Sequence, residues 1–396
     1  MYPRGRKTGF DDCDTEEFPQ PKSSQFRIFN PKDFQQQFNS KSESGSNAYH
    51  NDPHSPIGLT VGKSKFTISK YLSKGSFGCL YLGTHLGTNQ EVAIKIERID
   101  CEKPQLHLEY GFYKKLLQIP KGVPKIYTFG PCGRWNALVM ELLGPNLEKM
   151  LELCGGRFSL RSIIQLVIQF LFLFRSIHEC GLLYRDTKPA NFLLGQPSTS
   201  KWWIIHVVDL GFCKEWRQED GQHIPYQENK PFTGTVRYMS INNNLGHEQS
   251  RRDDLEALAY MMIYFFKGRL PWQGIIASTI TKRYMKICQS KLETPIETLC
   301  SNMPNEFAMY LRKVRSLNFN ERPDYGSLLT PFVDLLAREF VLDLNDKVYD
   351  WTQTHRIKPL YLRFPECNPT KPISNLNRKN YDGPDDYPEI YSRTLS

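Results

Sequence analysis

The chain has no CxxC pair, no Cys/His cluster at zinc-ligand spacing and no run of five or more Lys/Arg. The first two absences leave no zinc site legible in the sequence, so the ten scattered cysteines read as reduced, mostly structural thiols of an intracellular protein. The dispersal of basic residues, with no aromatic-basic pattern of the RNA-recognition type, argues against nucleic acid as the main partner. The N-terminal stretch lacks the apolar segment of a signal peptide, and the greasiest run, Ile163 to Phe174, is too short to span a bilayer. There is no internal repeat.

What is present is enough apolar material to fold. Hydrophobic residues make up 40% of the 396, ordinary globular usage that excludes wholesale disorder. The length fits two or three modest domains, or one large two-lobed domain with tails. Lys and Arg number 51 against 42 Asp and Glu, a net charge of +9. That excess suits an anionic partner, whether nucleic acid, an acidic membrane face or an acidic or phosphorylated protein, and charge alone does not choose among them.

Residues 1–64 are rich in Ser, Asn, Gln, Asp, Pro and Lys and read as a flexible tail, with a short docking segment as the alternative. From Phe66 the pattern alternates as in strands: Phe66 to Ser69, Cys79 to Leu82 and Glu91 to Ile96, with a Gly/Ser turn between the first two. A helix follows from about Gln105 through Leu117, then strand-like Lys125 to Tyr127 and Ala137 to Glu141. Gly144-Pro145 breaks the chain as a hinge would. Beyond it the reading is mainly helical: Ser159 caps a helix from Leu160 to about Cys180 that is apolar nearly all round and therefore buried. Further helices fit Arg251 to Phe266, Ile280 to Cys288, Asn305 to Val314 and Tyr325 to Phe340, and 351–396 read as a poorly structured tail.

Three spaced motifs carry chemistry. Val92-Ala93-Ile94-Lys95 puts an ammonium on a strand, Tyr184 to Asn191 places Asp186, Lys188 and Asn191 in an irregular stretch, and Asp209-Leu210-Gly211 ends a buried apolar strand. These are the parts that phosphoryl transfer from a nucleotide needs: a cation for the phosphates, a carboxylate beside the attacking hydroxyl, and an amide plus a second carboxylate for a hard cation. Lys188 is placed to neutralise the γ-phosphate, and capping or turn chemistry is the plain alternative for each of these residues. Ser73-Lys74-Gly75-Ser76-Phe77-Gly78, between two strands, can lay backbone N–H groups over phosphates, although a Gly/Ser hairpin alone is an ordinary turn. Glu109, in the following helix, is the candidate counter-charge for Lys95; its alternative is a solvated helix carboxylate.

With these residues assembled, the chain from about Phe66 to Trp351 resembles a eukaryotic protein kinase. More narrowly it resembles the casein kinase 1 family, through His223-Ile224-Pro225-Tyr226, Thr233 to Tyr238, Ser240-Ile241-Asn242 where most kinases have Ala-Pro-Glu, and Ser250 to Glu256. Gly130-Pro131-Cys132-Gly133, Tyr184 in place of the usual His, and the long stretch from Asn191 to Asp209 are similar to the gamma type. The resemblance implies an α+β, two-lobed fold over residues 65–350. Its small antiparallel β lobe with one main helix would cover about 65–141, its hinge about 141–145 and its larger, mainly helical lobe about 146–350. ATP would lie in the cleft, its phosphates under Ser73, Gly75, Ser76, Phe77 and Gly78, with Mg²⁺ on Asn191 and Asp209. Met140 would be the gatekeeper, Glu141 to Leu143 the hinge that holds adenine, and Leu72, Leu80 and Ala93 the residues packed on the ring.

The resemblance further implies transfer to Ser/Thr preceded by acidic or phosphorylated residues, without activation-loop phosphorylation. Arg237 and Arg283 would bind the substrate anion, or serve as structural ion-pair partners. A monomeric, cytoplasmic enzyme is expected. Three departures stand out: Ser73 replaces the first loop glycine, Leu210 replaces the usual Phe, and the cysteine-rich basic tail of gamma-type relatives is not matched, which puts membrane attachment in doubt. A catalytically weak kinase-fold scaffold is the alternative function.

Overall fold

The computed structural model describes residues 55–75, 78–197, 199–340 and 348–353. The expected tails lie mostly outside these residues, as do Ser76 and Phe77 of the loop. Six strands form one antiparallel sheet in the order β1-β2-β3-β4-β6-β5: β1 Thr60–Val61, β2 Phe66–Gly75, β3 Gly78–His85, β4 Glu91–Arg98, β5 Ile126–Cys132 and β6 Trp135–Glu141. The central strand β4 is buried from Val92 through Glu97, because it has a core on each face. Val92, Ile94 and Ile96 pack with Val61, Phe66, Ile68 and Tyr81 on the outer side, while Ala93 faces the main core with Met140. Residues two apart on a strand share a face, so Lys95 and Glu97 project on the same side as Ala93, toward the large lobe.

Helix α1 (Leu106–Leu116) lies against that inner side, with Leu106, Glu109, Tyr113 and Leu116 buried at helical spacing. Its first turn is capped from a distance: Glu97 Oε1 accepts hydrogen bonds from the backbone N–H of Gln105 at 2.7 Å and Leu106 at 3.2 Å. A strand carboxylate thereby supplies the partner that helix N-termini lack.

The large lobe is built on α2 (Leu147–Leu153), α3 (Leu160–Glu179), α4 (Ile241–Asn244), α5 (Arg251–Lys267), α6 (Ile280–Glu293), α7 (Ile296–Leu299), α8 (Asn305–Arg315) and α9 (Tyr325–Glu339), with α10 (Asp350–Gln353) at its end. Four short strands, β7 Leu182–Leu183, β8 Phe192–Leu194, β9 Ile205–Val207 and β10 Lys214–Glu215, pair β7 with β10 and β8 with β9. The expected N-cap forms, Ser159 Oγ accepting from Ser162 N at 3.3 Å.

Two expectations need correction. The run Ile163 to Phe174 belongs to a 20-residue helix that is long and apolar enough to cross a bilayer, but two thirds (67%) of its most hydropathic window is buried inside the fold, as in a core helix. The boundaries drawn from composition also fall inside the fold: β1 precedes residue 65, with Val61 1% exposed, and Trp351 is 3% exposed after 350. A few apolar side chains suffice to bind a polar stretch to a core, and an averaged composition hides them. All eight described cysteines are unpaired thiols.

Candidate active site

A cleft of about 280 Å³ opens between the sheet and the large lobe. Leu72, Ser73, Gly75, Gly78 and Leu80 line it from the β2–β3 hairpin; Ala93 and Lys95 come from β4, and Met140, Glu141 and Leu143 from β6 and the hinge. Strand register accounts for the grouping, since Lys95 pairs with Leu80 on one side and Ala93 with Met140 on the other. Glu109 and Asp209 close the far end. The large lobe supplies a floor that the sequence did not suggest, Leu193 on β8 and Val208 after β9.

Lys95 Nζ donates to Glu109 Oε2 at 2.6 Å and to Asp209 Oδ1 at 2.8 Å. Burial works against the ammonium, but the two carboxylates outweigh it and hold the Lys95 pKa well above the ordinary lysine range. Asp209 is likewise kept ionised against its burial by Lys95, with Lys188 assisting. Its backbone is left-handed (φ 59°), a conformation that costs a non-glycine residue on the order of 1–3 kcal/mol and persists where surroundings enforce it. Leu210, fully buried, donates its N–H to Glu109 Oε1 at 3.3 Å, so it fills its site as a bulky apolar plug.

The second cluster centres on Asp186, 2% exposed. Its Oδ2 accepts from Lys188 Nζ at 2.5 Å and Asn191 Nδ2 at 3.0 Å, and its Oδ1 from Thr235 Oγ1 at 2.8 Å. Asn191 spends its amide nitrogen on Asp186, which leaves its oxygen as the atom a cation would use. Asp254, on α5, holds the approach to this cluster, accepting from Tyr184 N and Arg185 N at 2.8 Å each. Gly234 (φ +96°) passes so close to Arg185 that a Cβ would sit 2.3 Å from its carbonyl oxygen.

Arg237 is half-buried on the segment after Thr235, its guanidinium 5.7 Å from the Tyr238 ring and 5.4 Å from the Tyr264 ring. Arg283 is exposed on the first turn of α6. No contact joins the two among the described residues.

A protein kinase domain model matches residues 66–333. Casein kinase I homolog 2 of Schizosaccharomyces pombe is 47% identical over 287 residues, and Casein kinase I homolog 3 of the same organism 43% identical over 288. Each alignment covers 72% of this chain and 65% of the relative, so the chain spans just under two thirds of the length of the curated relatives it matches. The chain belongs to the protein kinase family, in its casein kinase 1 group. Neither relative specifies the gamma type.

Membership in the kinase family implies ATP as a substrate and a divalent metal ion. The residues fit both: the cleft is apolar at the hinge end and carries Lys95 at the other. Among the described residues no three His, Cys, Asp or Glu side chains could enclose a metal by themselves, so a cation at Asn191 and Asp209 would complete its shell from phosphate and water oxygens.

Several residues around the site had no sequence signal. Gln196 Nε2 donates to the hinge carbonyl of Leu143 at 3.2 Å, and Lys201 Nζ lies 3.5 Å from Glu141 Oε1. Both sit in the long stretch from Asn191 to Asp209, which also accepts the Gly144 N–H at Leu194 O, 2.8 Å. That stretch fastens the hinge. The motif Ser250 to Glu256 contained Asp254 without its role, because only the fold brings it to Tyr184 and Arg185.

Proposed function

We propose that the protein is an ATP-dependent Ser/Thr protein kinase of casein kinase 1 type, acting on protein substrates with acidic or phosphorylated residues before the target. The observation that carries this reading is the joining of Lys95, Glu109 and Asp209 in one buried ion cluster at the far end of an apolar cleft, with Asp186 held separately beside it. Adenine would sit against Ala93, Leu80 and the hinge, the phosphates under the β2–β3 hairpin. Lys95 would grip the α- and β-phosphates, with Glu109 fixing its ammonium.

Mg²⁺, when bound to Asn191 and Asp209, would offset the charge that develops on the transferring phosphoryl group. Asp186, aligned by Thr235 and Asn191, would accept the proton of the acceptor hydroxyl as that oxygen bonds to the γ-phosphorus and the β–γ bridging oxygen departs with ADP. Lys188, already on Asp186, would shift part of its charge toward the γ-phosphate oxygens. Arg237 and Arg283 would receive the anionic residue of the substrate. Nothing in the site favours a scaffold without transfer, since every polar part of the set is present and paired.

The test is phosphorylation by purified protein, with Mg²⁺ and ATP, of serine peptides that differ only in an acidic or phosphorylated residue before the serine. Transfer to serine, faster for the anionic peptide, is expected. No transfer despite intact nucleotide binding contradicts the kinase reading, and equal transfer contradicts the anion preference.

A further inference from the structure

Lys291, in the last turn of α6, is completely buried. Its ammonium uses all three protons on neutral acceptors: the carbonyl of Val236 at 2.9 Å, the carbonyl of Met239 at 2.7 Å and Asn244 Oδ1 at 2.7 Å. The rings of Tyr260 and Trp272 lie 5.3 Å from it on other sides. Among the described residues no carboxylate pairs with it; Glu256, the acid whose field reaches it, is engaged by Tyr260 and Arg315.

Burying a charge without a counter-charge is costly, and an apolar side chain of similar volume would serve packing alone better. What this lysine does in return is local. The Val236 and Met239 carbonyls bracket Arg237 and Tyr238, and the carbonyl between them, that of Arg237, accepts from Trp272 Nε1 at 2.7 Å. Three carbonyls of this segment are thus held from below, while the half-buried Arg237 guanidinium lies against the Tyr238 and Tyr264 rings. The same segment starts at Thr235, bonded to Asp186, and ends at Ser240, whose hydroxyl donates to Asp253 Oδ1 at 2.7 Å.

We propose that Lys291 is a positioning residue for the protein substrate, fixing the segment from Thr235 to Ser240 so that Arg237 and the Asp186 cluster are presented in one register. This inference rests on the kinase reading above and adds to it a part remote from the nucleotide. Among the described residues Lys291 touches none that lines the nucleotide cleft, so its removal acts on the acceptor peptide and not on ATP.

The experiment compares wild type with Lys291→Met and, separately, Asn244→Ala, which removes one acceptor and leaves the charge. For each, KM is measured for ATP and for a glutamate-rich serine peptide, along with the kcat/KM ratio between that peptide and a neutral one. Thermal stabilisation by Mg·ATP reports that the variant is folded. In Lys291→Met the acidic-peptide KM is expected to rise about tenfold and the acidic-to-neutral ratio to fall toward one, with the ATP KM within about twofold of wild type. Asn244→Ala should move the same readouts in the same direction by a smaller factor. A folded Lys291→Met with unchanged peptide KM and preference overturns the proposal; if that variant does not fold, unchanged values in Asn244→Ala overturn it. If wild type itself transfers no phosphate, it is the kinase reading that fails.

Discussion

Lys95 and Glu109 meet at 2.6 Å across the junction of β4 and α1, and the same ammonium reaches Asp209 in the other lobe. One buried cation therefore ties the sheet, the helix and the metal-side carboxylate together. Lys95→Met would leave two buried carboxylates facing each other without it. We expect a loss of roughly 3–5 kcal/mol in stability and no detectable phosphate transfer, read by denaturant unfolding and a peptide assay. Near-normal stability would mean that Glu109 and Asp209 are not held as described.

Thr235 is the residue through which the acceptor-side segment touches Asp186. Thr235→Val keeps the shape and removes one hydrogen bond to a charged group, a contribution of about 1.5–3 kcal/mol. A fall in kcat of about ten- to a hundredfold is expected, with the ATP KM unchanged. An unaltered kcat would show that Asp186 is oriented without it.

Gln196 reaches the hinge carbonyl of Leu143 from the stretch before β9. Removing it in Gln196→Ala should loosen the adenine side of the cleft alone. A rise of about fivefold in the ATP KM is expected, matching a neutral hydrogen bond of about 1 kcal/mol, while the peptide KM stays constant.

The two buried lysines respond oppositely to their surroundings. Carboxylates hold Lys95 charged, whereas burial without a paired carboxylate pushes the Lys291 pKa from 10.5 down to about 7, with Glu256 and Cys288 opposing that shift and Arg315 adding to it. The folded chain therefore holds the Lys291 proton less tightly than the unfolded chain does, so this group makes folding more favourable as pH rises from about 7 toward 10.5. The stability difference between wild type and Lys291→Met should accordingly shift in favour of wild type by up to about 1.4 kcal/mol per pH unit from about pH 7.5 to 9.5. A pH-independent difference would place the Lys291 pKa outside that window.

The polar parts of the site were legible because their chemistry is ordered along the chain: Lys95, Asp186, Asn191 and Asp209 each sit in a recognisable local context. What was illegible is long-range. Glu97 caps α1 across a connecting loop, Gln196 returns to a hinge about fifty positions earlier, and Asp254 crosses from α5 to Tyr184 and Arg185. The helix expected to end at Cys288 continues to Glu293, and its last turn carries Lys291 inward to carbonyls that no local pattern reveals. Strand β4 was placed correctly, yet the outer core that covers one of its faces includes Val61 of β1, which lies in a stretch whose composition reads as tail.

The proposed chemistry stands on Asp186 and the Lys95 cluster acting together in phosphate transfer. The direct measurement is single-turnover transfer from Mg·ATP to an acidic serine peptide by wild type and by Asp186→Asn, with nucleotide binding recorded for both. Binding by both proteins is expected, with transfer by wild type and a rate at least about a hundredfold lower in the variant. Wild type that binds Mg·ATP without transfer, or a variant as fast as wild type, would contradict the account.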